Sequence, residues 1–169
     1  AVAMGAFATS QIIFIKENGV GTALAVLIDV MGDDDWQVRK EAVASLMCWT
    51  DLSLLSEALV EAMGEPDNVG RRNAVIDAVM RLGPVCIDPL LRHLAQKPEH
   101  RKVLVDVLGT FGDTRVIPAL GDTLRDEDPN VRIASMEQLA SFTGEEVLPV
   151  LREALKSADT LVVLAALDG

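Results

Sequence analysis

The chain has 169 residues, half of them hydrophobic, with fifteen Lys and Arg against twenty-six Asp and Glu, a net of −11. That length and apolar share suit one folded domain with a substantial interior. The acidic balance, with two Trp, four Phe and no Tyr, argues against nucleic acid or an anionic membrane as partner, since phosphate needs clustered cations and single strands need stacking rings.

The first fifteen residues carry no charge but lack the basic start of a signal peptide. Residues 1–19 read instead as the second helix of an earlier repeat, ending at Gly19. From there the chain divides into units at 20–51, 52–84, 85–113, 114–144 and an incomplete 145–169, together one domain over 1–169. The first unit holds an apolar helix, the acidic turn Gly32-Asp33-Asp34-Asp35, and a second helix opened by Arg39. The next has the turn Gly64-Glu65-Pro66-Asp67-Asn68 before Arg72, and closes at Gly83-Pro84. The third starts its first helix near Pro89-Leu90-Leu91, places Arg101 after His100, and closes at Gly112-Asp113. The fourth starts near Pro118-Ala119-Leu120, turns at Asp126-Glu127-Asp128-Pro129-Asn130, carries Arg132 and closes at Gly144. The last begins near Pro149-Val150-Leu151. Val162, Val163, Ala166 and Leu167 continue the pattern if Thr160 stands for the arginine.

The arginines Arg39, Arg72, Arg101 and Arg132 are 33, 29 and 31 residues apart. A period near thirty is the signature of stacked helix pairs. Counting from each Arg, offset +3 gives Ala42, Val75, Leu104 and Ser135, and offset +7 gives Leu46, Val79, Leu108 and Leu139. These offsets lie one helical turn apart and predict a buried stripe. Proline fits the first turn of a helix, Asp and Asn fit its cap, and Gly fits its end. The prediction is an all-α fold, a right-handed α-solenoid of about five stacked helix pairs. Neither end carries a polar capping unit, which points to a longer parent chain.

The strings Asp128-Pro129-Asn130-Val131-Arg132-Ile133-Ala134 and Asp35-Trp36-Gln37-Val38-Arg39 with Ala42 resemble HEAT-like repeats. The short period, and Gly112-Asp113 followed by a helix start at Pro118 and Leu120, are similar to the subtype of the phycobilisome lyases. The resemblance covers about residues 20–167. It implies a ladder of Asp and Arg between neighbouring turns, here Arg39, Arg72, Arg101 and Arg132 with Asp33 and Asp126. Trp36 and Trp49 are expected to be packing residues. The resemblance also implies that second helices line the concave side.

The chemistry-bearing residues are few. Cys48 and Cys86 sit in apolar runs and read as two buried free thiols in a reducing, cytoplasmic setting. His93 and His100 form no His-Glu dyad like that of the HEAT-like iron hydroxylases, and Gly109-Thr110-Phe111-Gly112 lacks the lysine of a phosphate loop. No catalytic set, metal or cofactor is expected. The functional row is instead the exposed face of the second helices. Offset +5 gives Ala44, Asp77, Asp106, Glu137 and Ala165, and offset +1 gives Lys40, Asn73, Lys102 and Ile133. The expected partner-binding residues are Asp77, Asp106 and Glu137 with Lys40, Asn73 and Lys102. The expected partner is a basic or mixed-charge protein segment, not nucleic acid or membrane. The subtype implies an alternative, a tetrapyrrole (bilin) lyase or lyase-accessory subunit. Its chromophore would then be handled by Cys48, Cys86, His93 or His100.

Overall fold

The structure, a computed structural model, describes residues 19–64, 68–96, 100–156 and 163. The expected partial repeat at 1–18, and Thr160, Val162, Ala165, Ala166 and Leu167, lie outside the described residues. Every regular element among the described residues is helical. The chain divides into two compact units, Ala1–Cys86 and Ile87–Gly169.

In the first unit, α1 (Val20–Val30) pairs with α2 (Trp36–Leu46), and α3 (Leu52–Met63) pairs with α4 (Val69–Leu82). The first helices α1 and α3 pack together, and so do the second helices α2 and α4. A 3-10 turn, Gly83–Cys86, ends the unit. In the second unit, α5 (Ile87–Gln96) pairs with α6 (Arg101–Thr110), and α7 (Ile117–Thr123) pairs with α8 (Pro129–Ala140). A further helix, α9 (Leu148–Ala154), packs on α7, while α6 lies along α8. Each unit therefore has a layer of first helices and a layer of second helices, with the core between them.

The core follows the repeat stripe. Ala42, Leu46, Val75, Val79, Leu104, Leu108, Ser135 and Leu139 are all buried, as the +3 and +7 offsets predict. At about 25 cal/mol per Å² of apolar surface removed from water, each buried Leu contributes about 2 kcal/mol. Ser135 is the polar member of the stripe. Its hydroxyl bonds the Val131 carbonyl (2.7 Å) and meets the Thr123 hydroxyl of α7 (2.7 Å). Thr123 in turn donates to the Leu120 carbonyl (2.9 Å), so neither buried hydroxyl is orphaned.

Helix starts are set by side-chain caps. The Gln37 amide donates to the Asp35 carboxylate (2.8 Å), Arg71 N to the Asn68 side chain (2.8 Å), and Asn130 N to Asp128 (2.8 Å). Asp51 caps α3 in the same way through Leu54 N (3.0 Å). These caps correct one expectation. The arginine does not open the second helix of the first, second and fourth repeats. Those helices begin at Trp36, Val69 and Pro129, three residues before Arg39, Arg72 and Arg132. The cap residue fixes the start, and the arginine sits one turn in, where its long side chain can reach back. Arg101 alone is a first helical residue, after His100, which makes no side-chain cap bond.

Pro89, Pro118 and Pro149 do fall in the first turns of α5, α7 and α9. The repeat-closing glycines take positive φ, 72° at Gly83 and 63° at Gly112, where any side chain would strain the backbone.

Candidate functional site

The ladder arginines divide into two kinds. Arg39 Nη1 donates to the carbonyls of Asp33 (2.6 Å) and Asp34 (3.0 Å). Arg132 Nη1 donates likewise to those of Asp126 (2.9 Å) and Glu127 (3.0 Å). Each staples the turn of its own repeat through backbone oxygen, not through an Asp side chain. Arg101 instead crosses to the next repeat: its Nη1 lies 2.6 Å from Asp126 Oδ2, and the Asp126 side chain is only 6% exposed. The other Asp126 oxygen accepts from Asp128 N (2.9 Å), so the carboxylate ties turn and neighbour together. Between the first two repeats, residues beside the half-buried Arg72 supply two links. The Asn68 amide donates to the Gly32 carbonyl (2.8 Å), and Arg71 Nη1 approaches Asp29 Oδ1 (4.0 Å). Asp33 accepts from Asp35 N (2.8 Å) within its own turn.

The expected partner-binding row lies on the open side of the second helices. Lys40, Asn73, Asp77, Lys102 and Glu137 are exposed, and Asp106 and Ile133 are half-buried. In the first unit α2 and α4 place Lys40 and Asn73 on adjacent helices. In the second, α6 and α8 do the same for Asp106 and Glu137. Two of the three acids already carry a cation on their own helix. Asp77 takes a two-point pair from Arg81 (2.9 and 3.1 Å), and Asp106 pairs with Lys102 Nζ (2.8 Å). Both are exposed i,i+4 pairs, of the kind worth about 0.3–0.5 kcal/mol. Glu137 has no ion pair among the described residues.

Two expectations about single residues are corrected. Trp36 is not a packing residue: it is 59% exposed, with Lys40 Nζ 5.8 Å from its ring centroid. It is the first residue of α2 and is left largely open by the described residues. Trp49 is the buried indole. The cysteines are both free, but only Cys86 is buried. Cys48 lies in the turn after α2 and its thiol faces the Ala44 carbonyl (3.6 Å) in solvent. Burial pushes the Cys86 thiol up to about 11, so it stays protonated and a poor nucleophile.

Asp113 caps the 3-10 turn Thr114–Val116, and Arg115 hydrogen bonds hold its carboxyl below the usual range. His93 lies on α5 with Nδ1 3.3 Å from the Pro89 carbonyl. Among the described residues, no three His, Cys, Asp or Glu gather closely enough to hold a metal. No helix among them is long and apolar enough to cross a membrane.

Sequence reasoning missed one packing contact of note. Gly109 of α6 is buried, and a Cβ there would overlap the Gln138 side chain of α8. The signal was present in the sequence, as a glycine inside an otherwise regular helix. No curated protein matches the chain in sequence. Residues 87–168 match the family model of HEAT repeats, and the described residues of 20–82 follow the same helix-pair plan, so the fold of the described residues is an all-α array of helix pairs.

Proposed function

We propose that the chain is a non-catalytic interaction scaffold that binds a basic or mixed-charge protein segment along the exposed face of its second helices. The observation that carries this is the contrast across each second helix. The +3 and +7 side is buried, while the described +1 and +5 positions are exposed, Asp77 and Glu137 among them, or half-buried, as at Asp106 and Ile133. Those acids act on orientation and on-rate more than on affinity. Their exposed pairs with Arg81 and Lys102 are weak enough for an incoming guanidinium to displace. The free thiols Cys48 and Cys86 suit a reducing, cytoplasmic setting.

The test is affinity capture from the native host, with the wild-type chain and a D77K/D106K/E137K variant as baits. Loss of the wild-type set of captured proteins in a variant with unchanged circular dichroism is expected. An unchanged set sinks the proposal.

The lyase reading is favoured by one feature, the exposed Cys48 thiol, to which a bilin vinyl group could add. Titration of the chain with a free bilin separates the two readings. A bilin-dependent absorbance change lost in C48S supports the lyase, and a flat titration dismisses it.

A further inference from the structure

The second helices of the first unit carry an exposed apolar pair that the acidic row does not explain. Trp36 and Val69 occupy the same place, the first residue of α2 and of α4, and are 59% and 65% exposed. The two helices pack side by side. Large aromatic side chains are usually buried, and Trp is one of the residue types enriched, with Tyr and Arg, at the energetic centre of protein interfaces. Trp36 lies on the face that holds Lys40 and Ala44, and Val69 on the face that holds Asn73 and Asp77.

The charges around the ring define the partner. From residue 33 to residue 41 there are four carboxylates, Asp33, Asp34, Asp35 and Glu41, against two cations, Arg39 and Lys40. Arg39 is committed to the Asp33 and Asp34 carbonyls. Asp33 and Asp35 each accept one backbone amide and keep their charge available, and Asp34 makes no side-chain hydrogen bond among the described residues. The stretch 33–41 thus carries a net of two negative charges in sequence on either side of an open indole. Lys40 at 5.8 Å shows that the ring accepts a cation while remaining mostly in solvent.

We infer that Trp36 and Val69 anchor an arginine-bearing protein segment. The planar guanidinium stacks on the indole and reaches the Asp34 and Asp35 carboxylates, and an adjacent apolar side chain covers Val69. Arginine is specified over lysine because it is planar, weakly hydrated and forked, so it can stack and pair at once. The inference rests on the interaction reading above and deepens it by naming the anchor.

The experiment is calorimetric titration of the wild-type chain and of W36A with three short amidated peptides. They alternate leucine with arginine, with lysine or with glutamate. The wild type should bind the arginine peptide best and the glutamate peptide not at all. W36A, whose fold is checked by circular dichroism, should weaken arginine-peptide binding by at least about fivefold, the equivalent of one cation–π contact. Equal affinity in wild type and W36A, no binding of the arginine peptide, or no preference for arginine over lysine would each overturn it. The D77K/D106K/E137K variant separates the two claims. If W36A binds like wild type while the triple variant fails to bind, the row is right and the anchor wrong. If the triple variant binds normally and W36A does not, the reverse holds.

Discussion

Replacing Arg101 by Met removes the cation that spans the third and fourth repeats and leaves the Asp126 carboxylate, 6% exposed, without its partner. Stripping one member from a fully buried pair costs about 3–5 kcal/mol, because the other charge stays desolvated. The Arg101 side chain is 31% exposed, so water can relieve part of that penalty, and we expect about 2–3 kcal/mol. In a chain of this size each kcal/mol lowers Tm by about 2–4 °C, so R101M should melt about 5–10 °C below wild type. D126N gives the complementary half. It keeps an oxygen for Asp128 N and removes only the charge, so its cost measures the ion pair and not the turn. D33N, at the matching place in the first repeat, should cost less than about 0.5 kcal/mol, because Arg39 uses the Asp33 carbonyl and not the carboxylate. Urea unfolding followed by circular dichroism, completed with the R101M/D126N double variant, gives the coupling energy. R101M and D126N within about 0.5 kcal/mol of wild type, or strictly additive in the double variant, would refute the reasoning.

Arg39→Ala and Arg132→Ala each remove two bonds to turn carbonyls and should cost about 1–2 kcal/mol by urea unfolding, while leaving partner capture intact in the folded protein. Ser135→Ala should destabilise by about 1 kcal/mol because it unpairs one bond of the buried Thr123 hydroxyl, and T123V/S135A should recover most of it by removing both groups. Gly109→Ala should be destabilising despite the helix propensity gained, about 1 kcal/mol, and a G109A/Q138A double variant should restore or exceed wild-type stability, since the obstruction is the Gln138 side chain. A thiol reagent at pH 8 should label Cys48 quickly and Cys86 only after unfolding. The native Cys86 thiol keeps its proton up to about 11 where the unfolded one loses it near 9.0, so the native state binds more protons in that window and stability should fall as pH rises through it.

The core was readable from the sequence because it is set by spacing: the +3 and +7 stripe needs only a helical period and apolar or small residues. The turns were readable for a similar reason, since Asp35, Asn68 and Asp128 are cap residues in front of helix-forming runs. What a single arginine bonds to was not readable. Arg39 and Arg101 differ in their contacts because one sits a full turn inside its helix and the other at its first residue, and that offset depends on whether an Asp or a His fills the cap. Exposure of Trp36 was hidden too. Composition marks indole as a core residue, whereas Trp36 stands at the first residue of α2, where the described residues leave it 59% exposed. The acidic row was found by offset, but its ion pairs with Arg81 and Lys102 required knowing that the i,i+4 rotamers meet.

Burial, not residue type, separates the two uses this chain makes of Asp and a cation. Asp126 and Arg101 hold a repeat junction because the carboxylate is cut off from water, so no competing cation reaches it without opening the stack. Asp77 with Arg81, and Asp106 with Lys102, are the same chemistry at side chains 41–53% exposed, where a pair holds by only about 0.3–0.5 kcal/mol. Such a pair stops the acid from repelling its neighbours in the free protein and yields when a better donor arrives. A forked guanidinium brings two parallel hydrogen bonds where Lys102 brings one, so under the proposed function exchange at Asp106 would favour an arginine in the partner. The same preference follows at Trp36 from stacking. On the proposed reading, the charged and the aromatic surface would both favour arginine in a partner, although nothing in their positions obliges them to bind the same arginine.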